Sequence, residues 1–166
     1  MIFVENEAHK ILVKTLGVSE KEIIIADGKG NVCNKLEKER NCKGLVDEDP
    51  LSSQHSYFKK LGHKEIKNDL KLSYDQENKN YLIILCPTVE KWILKAAIGV
   101  KIDISKYNLP SITNELYKVL HSDRKKYKNL EDLIKDVVKQ KSVMLKTLER
   151  FLKGKFELKG GKDELD

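Results

Sequence analysis

Two carboxylates, Asp47 and Asp49, stand two residues apart in the run Gly44-Leu45-Val46-Asp47-Glu48-Asp49-Pro50. An apolar stretch closed by proline predicts the carboxyl end of a buried strand over 44–47. Residues two apart on a strand share a face, so both side chains are expected on one side. Two like charges held that close disfavour joint ionisation unless a cation lies between them. Carboxylate oxygens suit Mg²⁺ or Mn²⁺, and such ions engage phosphate. The same pair also fits a solvated acidic loop, so the chemical reading depends on the elements around it.

Those elements alternate. Residues 2–5 read as a strand and 7–16 as a helix, with Ala8, Ile11, Leu12 and Thr15 on one face and Gly17 closing it. The β-branched run Ile23-Ile24-Ile25 predicts a strand over 22–26 that is covered on both faces. Asp27-Gly28-Lys29-Gly30 reads as a turn into a helix over 31–40. Strand, helix, strand, helix, strand at these spacings predicts parallel βαβ units, an α/β fold with a Rossmann-like, mainly parallel sheet. Beyond the acidic pair, 52–61 reads as a short helix or a loop. Strands are expected over 70–74 and 81–85 around a polar turn. Pro87 stops the second strand, and Thr88 caps a helix over 89–98 with Trp92, Ile93, Ala96 and Ala97 inward. Further helices are expected near 111–121, 130–140 and 142–152, with Asn129 resembling a helix start.

Glu5 ends the first predicted strand as Asp47 and Asp49 end the third. In an open parallel sheet, ligands bind outside the carboxyl ends of the strands, so these acids are expected to converge into a cage for a hard cation. The motifs that carry this reading are Val4-Glu5, Gly28-Lys29-Gly30-Asn31 and Val46-Asp47-Glu48-Asp49. Together they resemble those of Toprim domains, found in topoisomerases, bacterial primases, recombination mediators, small ribonucleases and overcoming-lysogenisation-defect nucleases. The resemblance covers about residues 1–100. It implies a Toprim-like α/β domain there; the helices beyond match no family pattern and are expected as a helical C-terminal extension over 101–160 packed on that domain, with a flexible tail over 161–166. The resemblance implies a metal-dependent nuclease in which Glu5, Asp47 and Asp49 hold Mg²⁺ or Mn²⁺ and carry the catalysis. Glu5 would also serve as a general acid or base. Glu90, in Cys86-Pro87-Thr88-Val89-Glu90-Lys91-Trp92, resembles a glutamate–tryptophan helix start and would add a second-metal ligand or orient the ligands of the first ion. Asn6 stands where the family usually has glycine. Asparagine tolerates a left-handed backbone better than most residues, so the same turn is expected to survive.

Other residues read two ways. Gly28, Lys29 and Gly30 could offer N–H groups and a cation to phosphate, or form a tight strand-to-helix turn. Tyr57 and Phe58 beside Lys59 and Lys60 could stack and neutralise single strands. Arg124-Lys125-Lys126-Tyr127-Lys128 could track a phosphate backbone or be a solvated loop. His55 and His63 could assist proton transfer or be surface residues. His9 and His121 lie on predicted helices and receive no role. Trp92 reads as a core anchor.

Charge sets the expected partner. The chain of 166 residues carries a net +6. Residues 1–50 hold 8 basic and 10 acidic side chains, a net of −2, and residues 101–160 hold 15 and 8, a net of +7. An acidic first part joined to a basic second part fits a metal site beside a nucleic-acid surface. No stretch reaches transmembrane length and no signal-peptide pattern opens the chain, so no membrane partner and a cytoplasmic setting are expected. Cys33, Cys42 and Cys86 lack metal-ligand spacing and read as reduced thiols. A homodimer or a partner ATPase is compatible with the pattern. The alternative function is a Toprim-fold module that binds nucleic acid or protein and has lost the reaction.

Overall fold

Short β-branched and leucine-rich runs can only be buried on both faces if helices cover them, and the chain alternates accordingly. The computed structural model describes residues 1–154 and, as backbone, Glu157–Lys159 and Lys162–Glu164. In chain order these are β1 Ile2–Val4, α1 Glu7–Thr15, β2 Ile23–Ile25, α2 Lys29–Lys38 and β3 Lys43–Asp47. Then come α3 Ser56–Lys60, β4 His63–Lys67, β5 Leu70–Asp75, β6 Asn80–Leu85 and α4 Val89–Gly99. Helices α5 Thr113–Ser122, α6 Lys126–Lys139 and α7 Val143–Lys153 follow, and β7 Glu157–Lys159 pairs antiparallel with β8 Lys162–Glu164. The main sheet has the order β2-β1-β3-β6-β5-β4. β1 is parallel to β2 and β3, and β3 to β6; β5 and β4 are added antiparallel. This is the Rossmann-like α/β arrangement expected from the βαβ spacing.

Strand alternation divides the core. Val4, Leu45, Leu72, Ile83 and Leu85 face one layer with α1, α4, α5, α6 and α7. Phe3, Val46, Leu82 and Ile84 face a thinner layer with Val32 and Leu36 of α2 and Tyr57 of α3. The helices after residue 101 therefore share a hydrophobic core with α1 and α4. Lys43 ties the far end of that layer: its Nζ donates to the carbonyls of Phe151, Leu152 and Gly154, at 3.0, 2.7 and 2.8 Å. A cation on the last carbonyls of α7 complements that helix's negative end.

Gly44 decides how closely α2 approaches the sheet. A Cβ there would lie 2.8 Å from Leu36 Cδ1 and 2.9 Å from Val32 Cγ1. Gly44→Ala is expected to overpack this contact and cost about 1–3 kcal/mol. Urea unfolding checks this, with a lowered midpoint and unchanged slope as the expected result.

Several expectations need correction. α2 begins at Lys29, two residues early, because Gly28 at φ +117 serves as its N-cap and lets the chain turn directly into the helix. β2 is an edge strand whose Ile24 and Ile25 are only partly covered. β4 was not foreseen: an edge strand with mostly exposed polar residues carries no alternating signal. α6 starts at Lys126, so Asn129 lies inside it and only Arg124 and Lys125 remain in the connection. Of the tail expected to be flexible, 162–164 form β8, and 161, 165 and 166 lie outside the described residues. Among the described residues, no helix is long and apolar enough to cross a membrane.

Candidate metal centre

β1 and β3 run parallel side by side, so their carboxyl ends open on one edge. Glu5 directly follows β1, and Asp47 is the last residue of β3. α1 starts at once after its cap Asn6, which brings His9 back over that edge one turn beyond Glu5. Glu5 Oε2 accepts the backbone N–H of Asp47 at 2.7 Å. His9 Nε2 lies 2.8 Å from Asp47 Oδ1 and 3.4 Å from Glu5 Oε2. Asp47 Oδ1 also accepts the N–H of Val89 at 2.9 Å, the first residue of α4, where the helix dipole favours a negative charge. One ligand atom from each of Glu5, His9 and Asp47 lies within 4.8 Å of the others, a spacing that could hold a metal ion. His9 is fully buried, whereas the side chains of Glu5 and Asp47 are 13 % and 18 % exposed, which leaves the carboxylate side open to solvent.

The hydrogen bonds determine which nitrogen of His9 carries a proton. Asn6 Oδ1 accepts the backbone N–H of Ala8 at 3.0 Å, so the atom facing His9 is the amide oxygen. His9 Nδ1 is 2.9 Å from that same oxygen and must donate to it. Nε2 then faces two carboxylate oxygens, and three arrangements satisfy it. It is protonated, making His9 an imidazolium between two anions; or its lone pair accepts from a protonated carboxyl, the form that burial favours at Glu5; or its lone pair binds a cation there. A histidine whose far N–H is fixed by an acceptor is the usual arrangement in metal sites.

The charges follow from this packing. Burial alone would lower the histidine, but the hydrogen bond and charge of Asp47, with the charges of Glu5 and Glu90, raise His9 above its ordinary value. Burial raises Glu5, with the Asp47 charge adding and His9 opposing. Burial also raises Glu90, which sits in the first turn of α4, only 4 % exposed, within the field of Asp47 and His9.

The sequence-derived residues fare differently. Glu5 and Asp47 converge as expected. Asp49 does not share a face with Asp47: β3 ends at Asp47, and φ +42 at Asp49 turns that exposed residue out of the strand. It lies outside the Glu5–His9–Asp47 cluster. Glu90 is beside the cluster without joining its ligand atoms. Lys29 Nζ donates to Glu48 O and Gln54 Oε1, both at 2.8 Å, and lies 4.9 Å from the Phe58 ring centroid, so it braces the loop after β3. The N–H of Gly28 is spent on Glu5 O at 3.1 Å, and Gly30 is an exposed first-turn helical residue. Lys59 and Lys60 are exposed on α3. Tyr57 is no stacking platform: it is 1 % exposed and its hydroxyl donates to Asp75 at 2.9 Å. His55 caps α3, and His63 Nδ1 meets Ser73 Oγ at 3.0 Å. Trp92 is buried and donates to Asn68 O.

His9 is the residue that sequence reasoning missed. Its signal was present: it stands four residues after Glu5, on the face that Ala8 and Leu12 bury. Asn6 was also misread, since its backbone is extended (φ −153, ψ −173) and its side chain, not its tolerance of left-handed geometry, is what the site uses. Asn6→Ala is expected to remove both the α1 cap, about 1 kcal/mol, and the anchor of His9, about 10–100-fold in metal affinity. Thermal melts in chelator and Mn²⁺ titration read the two effects separately.

No protein-family model matches the chain, and neither does any curated protein or solved structure. The fold and cluster define a Rossmann-like α/β protein with an acid–histidine site at the carboxyl edge of its parallel strands. One nitrogen and two carboxylate oxygens make a donor set that could bind a metal ion.

Proposed function

We propose that this chain is a metal-dependent phosphodiesterase acting on nucleic acid, a nuclease of Toprim type. The observation that carries this reading is the convergence of Glu5, His9 and Asp47, from separate elements, at the open carboxyl edge of β1 and β3. A divalent ion bound there supplies Lewis-acid polarisation of a phosphoryl oxygen and a water of lowered pKa. The protein's own part is to fix the ligands. Asn6 holds the ring of His9, the N-terminus of α4 holds Asp47, and the Asp47 amide holds Glu5. Glu90, buried beside them and raised by burial, is the group suited to hold a proton during the reaction. The basic half of the chain supplies charge for flanking phosphates. The free thiols of Cys33, Cys42 and Cys86 fit a reducing, cytoplasmic setting.

One observation favours a second reading, a binding module without turnover. A protonated His9 satisfies both carboxylates by itself, so the triad is complete as an internal ion cluster that pins α1 to β3. Incubation with labelled single- and double-stranded DNA and RNA, in Mg²⁺, Mn²⁺ or chelator, separates the two. Metal-dependent cleavage is expected; metal-insensitive binding without cleavage would overturn the enzymatic reading in favour of the module.

A further inference from the structure

The corner between α5 and α6 stands beside the acid cluster. α6 packs on α1 and α4, and α5 packs on α4. These are the two helices whose first turns deliver His9 and Glu90. Leu116 and Leu120 of α5 and Leu130, Leu133 and Ile134 of α6 are buried in the same core as α1 and α4, which fixes the corner in place. The charge contacts agree: Glu90 feels His121, and Tyr127, in the first turn of α6, feels Glu7, Glu90 and Arg124.

Two features of this corner are exposed to solvent rather than packed into the core. On α5, Tyr117 and His121 stack with ring centroids 3.9 Å apart, although both are exposed and Tyr117 is 51 % open to solvent. They are four residues apart and so share one helix face. The carbonyl of Tyr117 accepts His121 Nδ1 at 2.8 Å, which holds the imidazole against the phenol. Immediately beyond lie Arg124 and Lys125, both exposed, and among the described residues neither side chain has an ion pair or hydrogen bond. In α6, Lys126 Nζ is held by Asn108 O and Lys128 by Asp132, whereas Lys118, beside Tyr117 on α5, is exposed and likewise without an ion pair or hydrogen bond of its side chain among the described residues. An exposed aromatic stack followed by unpaired cations is what a single nucleic-acid strand requires, since bases stack on the rings and phosphates meet the charges. The guanidinium fork of Arg124 also matches phosphate oxygens in pairs.

We propose that Tyr117, His121, Arg124 and Lys125 form a single-strand platform that feeds a polynucleotide backbone toward the Glu5–His9–Asp47 cluster. This rests on the nucleic-acid reading above and narrows it: the substrate is unpaired, and the extension after residue 101 selects it. Tyr117 and His121 carry a base, and Arg124 and Lys125 hold the adjoining phosphates.

Fluorescence anisotropy in chelator tests binding without cleavage, using a labelled dT oligonucleotide, a ribo-U oligonucleotide and a duplex of equal length. Single strands are expected to bind at least about tenfold tighter than duplex, and Tyr117→Ala to weaken them by about tenfold. Arg124→Gln with Lys125→Gln is expected to lower the slope of log affinity against log salt by about 1.4, two charges at about 0.7 each for single strands. Lys139→Gln with Lys141→Gln, at the other end of α6, serves as the control, and circular dichroism melts confirm folding of each exposed-site variant. Equal affinity for duplex, or platform variants that behave like the control, overturns the platform even if metal-dependent cleavage stands. Platform-dependent binding by a protein that cleaves nothing keeps the platform and removes the nuclease. If the unaltered protein binds none of the three probes, both proposals fail.

Discussion

Asp47→Asn is expected to abolish metal binding and cleavage while leaving the fold in place. Asp47 Oδ1 lies 2.8 Å from His9 Nε2 and takes the Val89 N–H at 2.9 Å. An amide of the same shape keeps an acceptor for Val89 and removes the charge that a cation needs. Loss of partners outside the ligand set costs metal sites about 10–100-fold, so loss of a ligand's charge here is expected to exceed about 100-fold. Calorimetric titration with Mn²⁺ reads the affinity, and the cleavage assay reads the activity. Mn²⁺ affinity within a few-fold of the unaltered protein would show that the ion, if bound, sits elsewhere.

His9→Leu carries the largest expected cost to stability. His9 is buried between two carboxylates, and its removal leaves Glu5 and Asp47 facing each other without a cation. Breaking a buried pair by deleting one partner costs about 3–5 kcal/mol. The sign of its pH dependence follows from the same charges. In metal-free protein His9 is raised above its ordinary value of 6.5. Its stabilisation is therefore fully present below pH 6.5 and is lost as pH rises through the raised folded value. Glu5 and Glu90 are raised above 4.5 by burial, so their charged forms oppose folding as pH rises past that value. All three act in one direction, while the lowered His63 opposes them only below pH 6.5 and the lowered Lys43 only above about 8, so in chelator the urea midpoint is expected to fall as pH rises from 6.5 toward about 8. His9→Leu loses the upper part of that slope. Saturating Mn²⁺ reverses it, because the ion competes with the proton on Nε2. A flat profile in chelator would contradict the imidazolium between the carboxylates.

Much of the frame was legible in the residues. The β-branched and leucine-rich strands, the Thr88 cap and the inward stripe of Trp92, Ile93, Ala96 and Ala97 each depend on a local period, which a linear reading can detect. β4 was not legible, since His63-Lys64-Glu65-Ile66-Lys67 is a sheet edge held by its pairing to β5 and buries almost nothing itself.

The candidate site divides along the same line. The sequence by itself determined that Glu5 and Asp47 end buried parallel strands, and therefore that they meet at one edge. Only the tertiary structure decided that His9, not Asp49, completes the cluster. The two-residue period of a strand stops where pairing stops, at Asp47, and Asp49 turns away at positive φ two residues beyond. The helix after Glu5 has its own period, and packing α1 against the sheet aims its third residue, His9, at an aspartate 38 positions further along the chain. Which face of a helix meets which strand end is a property of packing, and no local pattern encodes it.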